Sequence, residues 1–169
     1  MKFALTAMLA ACCALQPTIA AAADAADAGY AIRLMTPETA LKAALAGQAA
    51  CRKAGFQATI AVVDRTGQVQ VVLRDRFAGM HTVEAAIDKA WTAVSFKMDT
   101  TALAKATAAA SASSGIRHIP RALAVGGGML VEAAGAPYGA VGVSGAPSGD
   151  NDDLCARAAI DAVIDDLNL

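Results

Sequence analysis

The sequence predicts a single α/β domain of the α+β kind: an antiparallel sheet of about five strands with helices packed on it. Three observations carry that expectation. Two short β-branched apolar runs are joined by a tight turn, which makes a hairpin. The hydrophobic period then changes to a helical one after residue 82. Further short strands, separated by glycine-rich breaks, precede a last helical stripe. Consecutive strands with short connections pair antiparallel, whereas βαβ units need long crossovers. At 169 residues the chain has room for one domain and its core.

In chain order, Thr36 stands at a helix cap, Pro37 at the first helical position and Glu38 in the first turn, where an acid suits the dipole. Leu41, Ala44, Leu45 and Gln48 follow at helical spacing, and Gly55 closes the helix after Arg52-Lys53. Thr59 to Val63 and Val69 to Leu73 read as strands around the turn Arg65-Thr66-Gly67. Arg74-Asp75-Arg76 opens a loop that runs through Gly79. From Thr82 the stripe Val83, Ile87, Ala90, Trp91 and Val94 predicts a helix with Glu84, Asp88 and Lys89 outside it. Thr100 or Thr101 caps another helix to about Ala110, followed by a serine-rich loop from Ser111 to Gly115. Leu123 to Val125, Met129 to Glu132 and Tyr138 to Ser144 are the remaining expected strands. Asp150 or Asp152 caps the final helix, with the stripe Leu154, Ala158, Val163 and Ile164. Antiparallel packing of the first and last helices would bring Cys51 near Cys155.

Residues 1–23 read as a signal peptide: Lys2, an apolar run from Phe3 to Leu15, then small residues from Ala20 to Ala23 before Asp24. The run is too short for a stable membrane span. A periplasmic or secreted protein is expected, with the domain over residues 30–169; lipidation at Cys12 is the alternative reading of the leader. Of the four cysteines, Cys51 and Cys155 remain after cleavage. An oxidising compartment favours a disulfide, and two buried thiols are the other reading.

Composition excludes several classes. Hydrophobic residues make up 56% and charged residues 17%, so the chain is not a disordered polar one. With 4% aromatics, net charge −1 and no Lys/Arg cluster, a nucleic-acid partner is not expected. Gly126-Gly127-Gly128 is followed by a strand, not by the helix that a phosphate fingerprint needs. Gly142-Val143-Ser144-Gly145-Ala146 misplaces the second glycine of a nucleophile elbow. Asp150, Asp152 and Asp153 lack an EF-hand setting, and four close Cys/His zinc ligands are missing.

A tetrapyrrole asks for less: one or two axial ligands and an apolar slot. His118, His81, Met80, Met98, Met129 and Tyr138 have the chemistry. His118 is flanked by Arg117 and Arg121, cations that suit propionates, while His81 follows Met80 just before a helix. The bland reading of each histidine is an ordinary loop side chain.

The run Ile60-Ala61-Val62-Val63-Asp64, then Gly67 and Arg74, resembles the start of the GlcG/HbpS-like family, also found as the C-terminal domain of PduO-type proteins. Ala86-Ile87-Asp88-Lys89-Ala90-Trp91-Thr92-Ala93 is similar to that family's helix with its K-A-x-T-A core. Gly127-Gly128, the stretch Gly139 to Ala146, and Asp152-Asp153 before an Ala-rich helix resemble its ending. Leu130 replaces a usual proline, and Asp75-Arg76-Phe77-Ala78-Gly79 replaces a usual Asp-Gly-Ala loop. The resemblance implies a compact, profilin-like domain, often oligomeric, some of whose members bind haem.

The leading expectation is an exported haem- or tetrapyrrole-binding protein, a homo-oligomer acting as carrier, buffer or redox-linked accessory. Its candidate cofactor contacts are His118, His81, Arg117, Arg121 and Met129, with His118 and His81 as iron ligands and no catalytic residue assigned. The second reading is a small-molecule enzyme or metabolite-binding accessory of a catabolic pathway, with Asp64, Arg74 and Lys89 lining a polar pocket. A third is a structural oligomer packed through glycine-rich strand edges.

Overall fold

The computed structural model describes residues 29–168. The expected leader, Cys12 included, lies outside them. Gly29 to Ile32 have no regular structure, and a compact unit begins at Arg33. Its helices are α1 (Pro37–Lys53), α2 (Thr82–Phe96), α3 (Thr100–Ala106), α4 (Gly149–Asp161) and α5 (Ile164–Leu167). Its strands are β1 (Thr59–Asp64), β2 (Val69–Arg74), β3 (Gly128–Ala133) and β4 (Ala136–Ser144). The sheet has four strands in the order β2-β1-β4-β3, and every neighbouring pair is antiparallel.

The antiparallel α+β architecture is the one expected, with four strands where about five were expected. Leu123 to Val125 does not join the sheet. The Leu123 amide donates to Thr92 Oγ1 at 2.9 Å, which ties this segment to α2 instead of to a strand. The same Thr92 hydroxyl donates to the Arg121 carbonyl at 3.1 Å.

Helices cover both faces of the sheet. Ile60, Val62, Val141, Val143, Met129 and Val131 share one core cluster with Ala40, Ala44, Ala156 and Ala159 of α1 and α4. Val63 and Ala140 face the other way and pack with Ala90, Ala93 and Val94 of α2. Alternation along each strand therefore gives the sheet one face of large side chains and one of small ones. Gly142 sits on the small face. A Cβ there would fall far inside contact with the Ala86 carbonyl oxygen and 2.7 Å from the Ala90 amide, so α2 lies directly on the backbone of β4.

This close packing corrects the expected helix stripes in part: Ala44, Gln48, Ala90, Val94 and Val163 are buried as expected, but their larger neighbours are not. In α1 the buried residues are Ala40, Ala43, Ala44, Gly47, Gln48 and Cys51, while Leu41 and Leu45 face outward. In α4 Cys155, Ala156 and Ala159 are buried and Leu154 is exposed. In α2 Lys89 is buried, whereas Val83, Ile87 and Trp91 are only half-buried. Interaxial distance depends on side-chain size, and alanine and glycine let these elements approach closely.

Caps and ties fix the ends. Thr36 caps α1 as expected, its hydroxyl accepting from the Thr39 amide at 3.2 Å, with Pro37 opening the helix. Ser148 caps α4 in place of Asp150 or Asp152, accepting from the Asn151 amide at 3.3 Å. Arg52 makes a two-pronged contact to buried Asp75, Nε to Oδ2 at 2.7 Å and Nη2 to Oδ1 at 3.0 Å. Hydrogen bonding from that guanidinium holds the Asp75 carboxyl below the usual carboxylate range. The contact fastens the end of α1 to the loop after β2. Cys51 and Cys155 form a disulfide between α1 and α4, with Cα atoms 5.4 Å apart and 104 positions apart in sequence.

Candidate functional site

One cleft gathers the chemistry. It has a volume of about 660 Å³ and opens between the start of α2, the loop between β4 and α4, and the segment that Thr92 pins. Phe56, Phe77, Leu123, Val125 and Pro147 give it apolar walls, and His81, Ser144, Lys89 and Asp152 give it polar points. That size and mixture suit a drug-sized or cofactor-sized ligand.

His81 stands at the mouth, in the residue just before α2. It is exposed, its imidazole makes no hydrogen bond within the described residues, and the ring lies over Gly79. A Cβ on residue 79 would come 2.8 Å from His81 Cε1. Both ring nitrogens therefore keep their donor or acceptor capacity for a ligand.

Lys89 and Asp152 form the floor. Their side chains are 4% and 5% exposed, and Lys89 Nζ donates to Asp152 Oδ2 at 2.7 Å and to the Val143 carbonyl at 2.9 Å. The Ala146 amide donates to Asp152 Oδ1 at 3.0 Å. Burial pushes the Asp152 carboxyl above the usual carboxylate range, against the opposing pull of Lys89 and the Ala146 amide. Breaking such a pair by removing one partner costs on the order of 3–5 kcal/mol, whereas removing both charges together is often tolerated. An ammonium has three N–H donors. Two of them are used, and the third meets no acceptor among the described residues.

The glycine pair of the sequence makes room for this floor. A Cβ on Gly127 would lie 2.7 Å from Asp152 Cβ and 2.9 Å from Lys89 Nζ, and the residue has φ +113°. Both the space and the backbone therefore demand glycine. The Gly127 amide donates to Asp153 Oδ1 at 2.5 Å, and Thr101 Oγ1 donates to Asp153 Oδ2 at 2.5 Å, so the loop before β3 is bound to α3 and α4.

The K-A-x-T-A core of α2 acquires a role at each named position. Lys89 is the floor cation, Ala90 meets the glycine of β4, Thr92 pins the cleft wall, and Ala93 fills the second core.

The sequence candidates do not converge on one point. His81 lines the cleft, but His118 is exposed on a short 3₁₀ turn, Ser114–His118, and is not among the lining residues. Arg117 donates to the carbonyls of Thr107 at 2.7 Å and Ala104 at 2.8 Å. Arg121 pairs with Asp88 at 3.1 Å and lies over the Trp91 ring, 4.9 Å from its centroid. Met129 is 4% exposed in the core beneath the sheet, with Tyr138 in the same cluster. Of the polar residues in the second reading, only Lys89 reaches the cleft. Asp64 accepts from the Thr66 and Gln68 amides within its own turn, and Arg74 donates to the Ala78 carbonyl. The sequence reading missed the loop from Ser144 to Gly149 and the role of Asp152; the signal was Gly145 and Pro147, punctuation between a buried strand and a helix.

Among the described residues no group of three or more His, Cys, Asp or Glu side chains is placed to hold a metal ion, and no helix is long and apolar enough to cross a membrane.

Comparison with known proteins agrees with this architecture. No curated protein sequence matches the chain. A crystal structure of an HbpS double mutant from Streptomyces reticuli is 40% identical, with a TM-score of 0.76, over 87% of this chain and 99% of that one. The Klebsiella pneumoniae protein ORFY is 27% identical, with a TM-score of 0.77, over 80% of this chain and 94% of that one. The complex of PduOC with haem is 27% identical, with a TM-score of 0.73, over 76% of this chain and 94% of that one. Residues 35–161 match the family described as haem-degrading protein, HbpS-like. The chain belongs to the HbpS-like family.

Proposed function

We propose that this protein binds haem or a closely related tetrapyrrole in the cleft between α2 and the β4–α4 loop, with His81 as the axial ligand. The observation that carries the reading is the unengaged His81 imidazole at the mouth of a cleft that pairs apolar walls, among them Phe77 and Leu123, with a polar floor. Family membership and the likeness to a haem complex support the ligand class. The residues present fit such a group. A porphyrin supplies four ligand nitrogens itself, so a single histidine suffices without the protein metal cluster that the described residues do not form. When bound, haem would supply redox-active iron. The chain's own contribution is to orient the macrocycle against Phe77 and Leu123, shield one face from water, and offer one nitrogen to the metal.

The proposal extends to an exported protein, with residues 1–23 as its signal peptide and residues 30–169 as its domain. It acts in the periplasm or outside the cell as a carrier, buffer or redox-linked accessory, and it works as a homo-oligomer. The leader's charge and apolar run support the export, and a disulfide suits an oxidising compartment. The family's description as haem-degrading favours one second reading, in which bound haem is consumed and not merely carried.

Titration of haemin into the purified protein tests the assignment through the Soret band. Saturable binding is expected in wild type and in His118→Ala. In His81→Ala affinity falls at least about tenfold, as for loss of a bond of about 1.4 kcal/mol. Loss in His118→Ala with retention in His81→Ala would move the ligand to the 3₁₀ turn and end this assignment.

A further inference from the structure

The cleft has a second chemical feature that iron ligation does not use. Its floor is a buried ammonium group, and among the described residues that line the cleft Lys89 is the only Lys or Arg. Arg117 and Arg121, which flank His118 in sequence, are committed elsewhere, to helix carbonyls and to Asp88 and Trp91. Any anionic group of a molecule in the cleft therefore has one lysine cation to meet, and that cation is already paired with Asp152. That charge is held in place: Val143 and Asp152 fix Nζ from two sides, and Gly127 closes over it. Its third N–H has no acceptor among the described residues. A desolvated cation with an unused donor is a site for an oxyanion, because charge-assisted hydrogen bonds are the strong ones and an orphaned buried donor is costly.

Asp152 limits what the site accepts. Its Oδ2 already takes one Lys89 proton and its Oδ1 takes the Ala146 amide, so the pair is neutral as it stands. A dianion would face an uncompensated carboxylate. A single carboxylate, hydrogen-bonded by the remaining N–H, fits better. Ser144, 7% exposed at the end of β4, lines the cleft beside Lys89 and Asp152.

We infer that the floor of the cleft is a carboxylate subsite, in which Lys89 receives one carboxylate of the molecule bound above it. This deepens the tetrapyrrole reading, since a haem propionate is one source of that group; a small free carboxylic acid is the other. The two sources share the chemistry and differ in what else the cleft holds.

Haemin and haemin dimethyl ester, titrated side by side, separate them. In wild type haemin should bind at least about tenfold more tightly than the ester, the scale of one charge-assisted hydrogen bond. In Lys89→Met/Asp152→Asn, which removes both buried charges together and keeps an acceptor for the Ala146 amide, the ratio should fall to about one. Circular dichroism of that variant checks the fold. A ratio that persists in the double variant overturns the inference, because the propionate must then meet another group.

A parallel titration with benzoate follows the Gly127 and Ala146 amide resonances by NMR. If haemin and ester bind alike in wild type but benzoate shifts these amides saturably, and not in the double variant, the subsite stands with a free acid as its ligand. If haemin and ester bind alike and benzoate shifts nothing, the inference fails. If neither haemin nor its ester binds, the tetrapyrrole reading fails on its own, and the benzoate arm alone decides the subsite.

Discussion

Gly142→Ala should be among the most damaging single substitutions in this protein. The residue lies in β4, a central strand paired with β1 on one side and β3 on the other. The new methyl would enter contact distance of the Ala86 carbonyl and lie 2.7 Å from the Ala90 amide, both of them helix backbone. Neither a strand held on two edges nor a helix seated on it can yield without loss. Overpacking of this kind costs typically about 1–3 kcal/mol, and rigid backbone on both sides puts this case at or beyond the upper end. The displacement would also be felt in the cleft, since α2 carries His81 at its start and Lys89 within it. Gly115→Ala is the matched control: nothing lies within 4 Å of its Cβ position, so a change within about 0.5 kcal/mol is expected. Urea unfolding of the three proteins checks this. Equal midpoints for Gly142→Ala and wild type would show that α2 does not sit on β4 as described.

Removing the disulfide should have an effect of similar size by another route. Cys51 and Cys155 stand 104 positions apart, so the bond closes a loop over most of the compact unit that begins at Arg33. In the chain-entropy account such a crosslink stabilises by about 4–5 kcal/mol, chiefly by restricting the unfolded chain. For a domain of this size that is roughly 15 °C in Tm. Cys51→Ala/Cys155→Ala is the appropriate variant, because both residues are 1% exposed and serine would bury two hydroxyls. Thermal melts of wild type with and without reductant should bracket the variant. Reductant-insensitive wild type, melting with the double variant, would mean that the two sulfurs are not bonded in solution.

How much of this was legible in the sequence depends on what each signal measures. Local backbone signals were readable. Thr36 and Pro37 open α1, Arg65-Thr66-Gly67 turns the hairpin, and the helix from Thr82 begins where its period begins. Reading the faces of the helices was less successful. Hydrophobic periodicity finds the largest apolar residues, and here Leu41, Leu45 and Leu154 are exposed and Val83, Ile87 and Trp91 only half-buried. Alanine and glycine make most of the interfaces instead, so the leucines of the stripes fall at the outer edge of the packing. The same periodicity puts Lys89 on the solvent side, although it is 3% exposed. The expected strand at Leu123 to Val125 failed because a hydroxyl 31 residues away, Thr92 Oγ1, takes its amide, and no local pattern records such a partner.

The candidate site shows the same division. His81 could be named from its chemistry, but only the folded chain separates it from His118, which stands on a different surface segment. In the sequence the glycine pair and the lysine of α2 stand only as parts of a family pattern. Their physical connection, a buried ion pair with glycine backbone folded against it, needs three elements brought together across 63 residues of sequence.

The most direct test of the cleft as the tetrapyrrole site leaves His81, Lys89 and Asp152 untouched. Ala85 lines the cleft from α2 at a half-buried position, so Ala85→Trp fills the cleft without entering the core. Haemin titration of this variant beside wild type, with circular dichroism to confirm the fold, should show the saturable Soret change in wild type and its loss in Ala85→Trp. An undiminished Soret titration in a correctly folded Ala85→Trp would place the ligand outside the cleft and contradict the account.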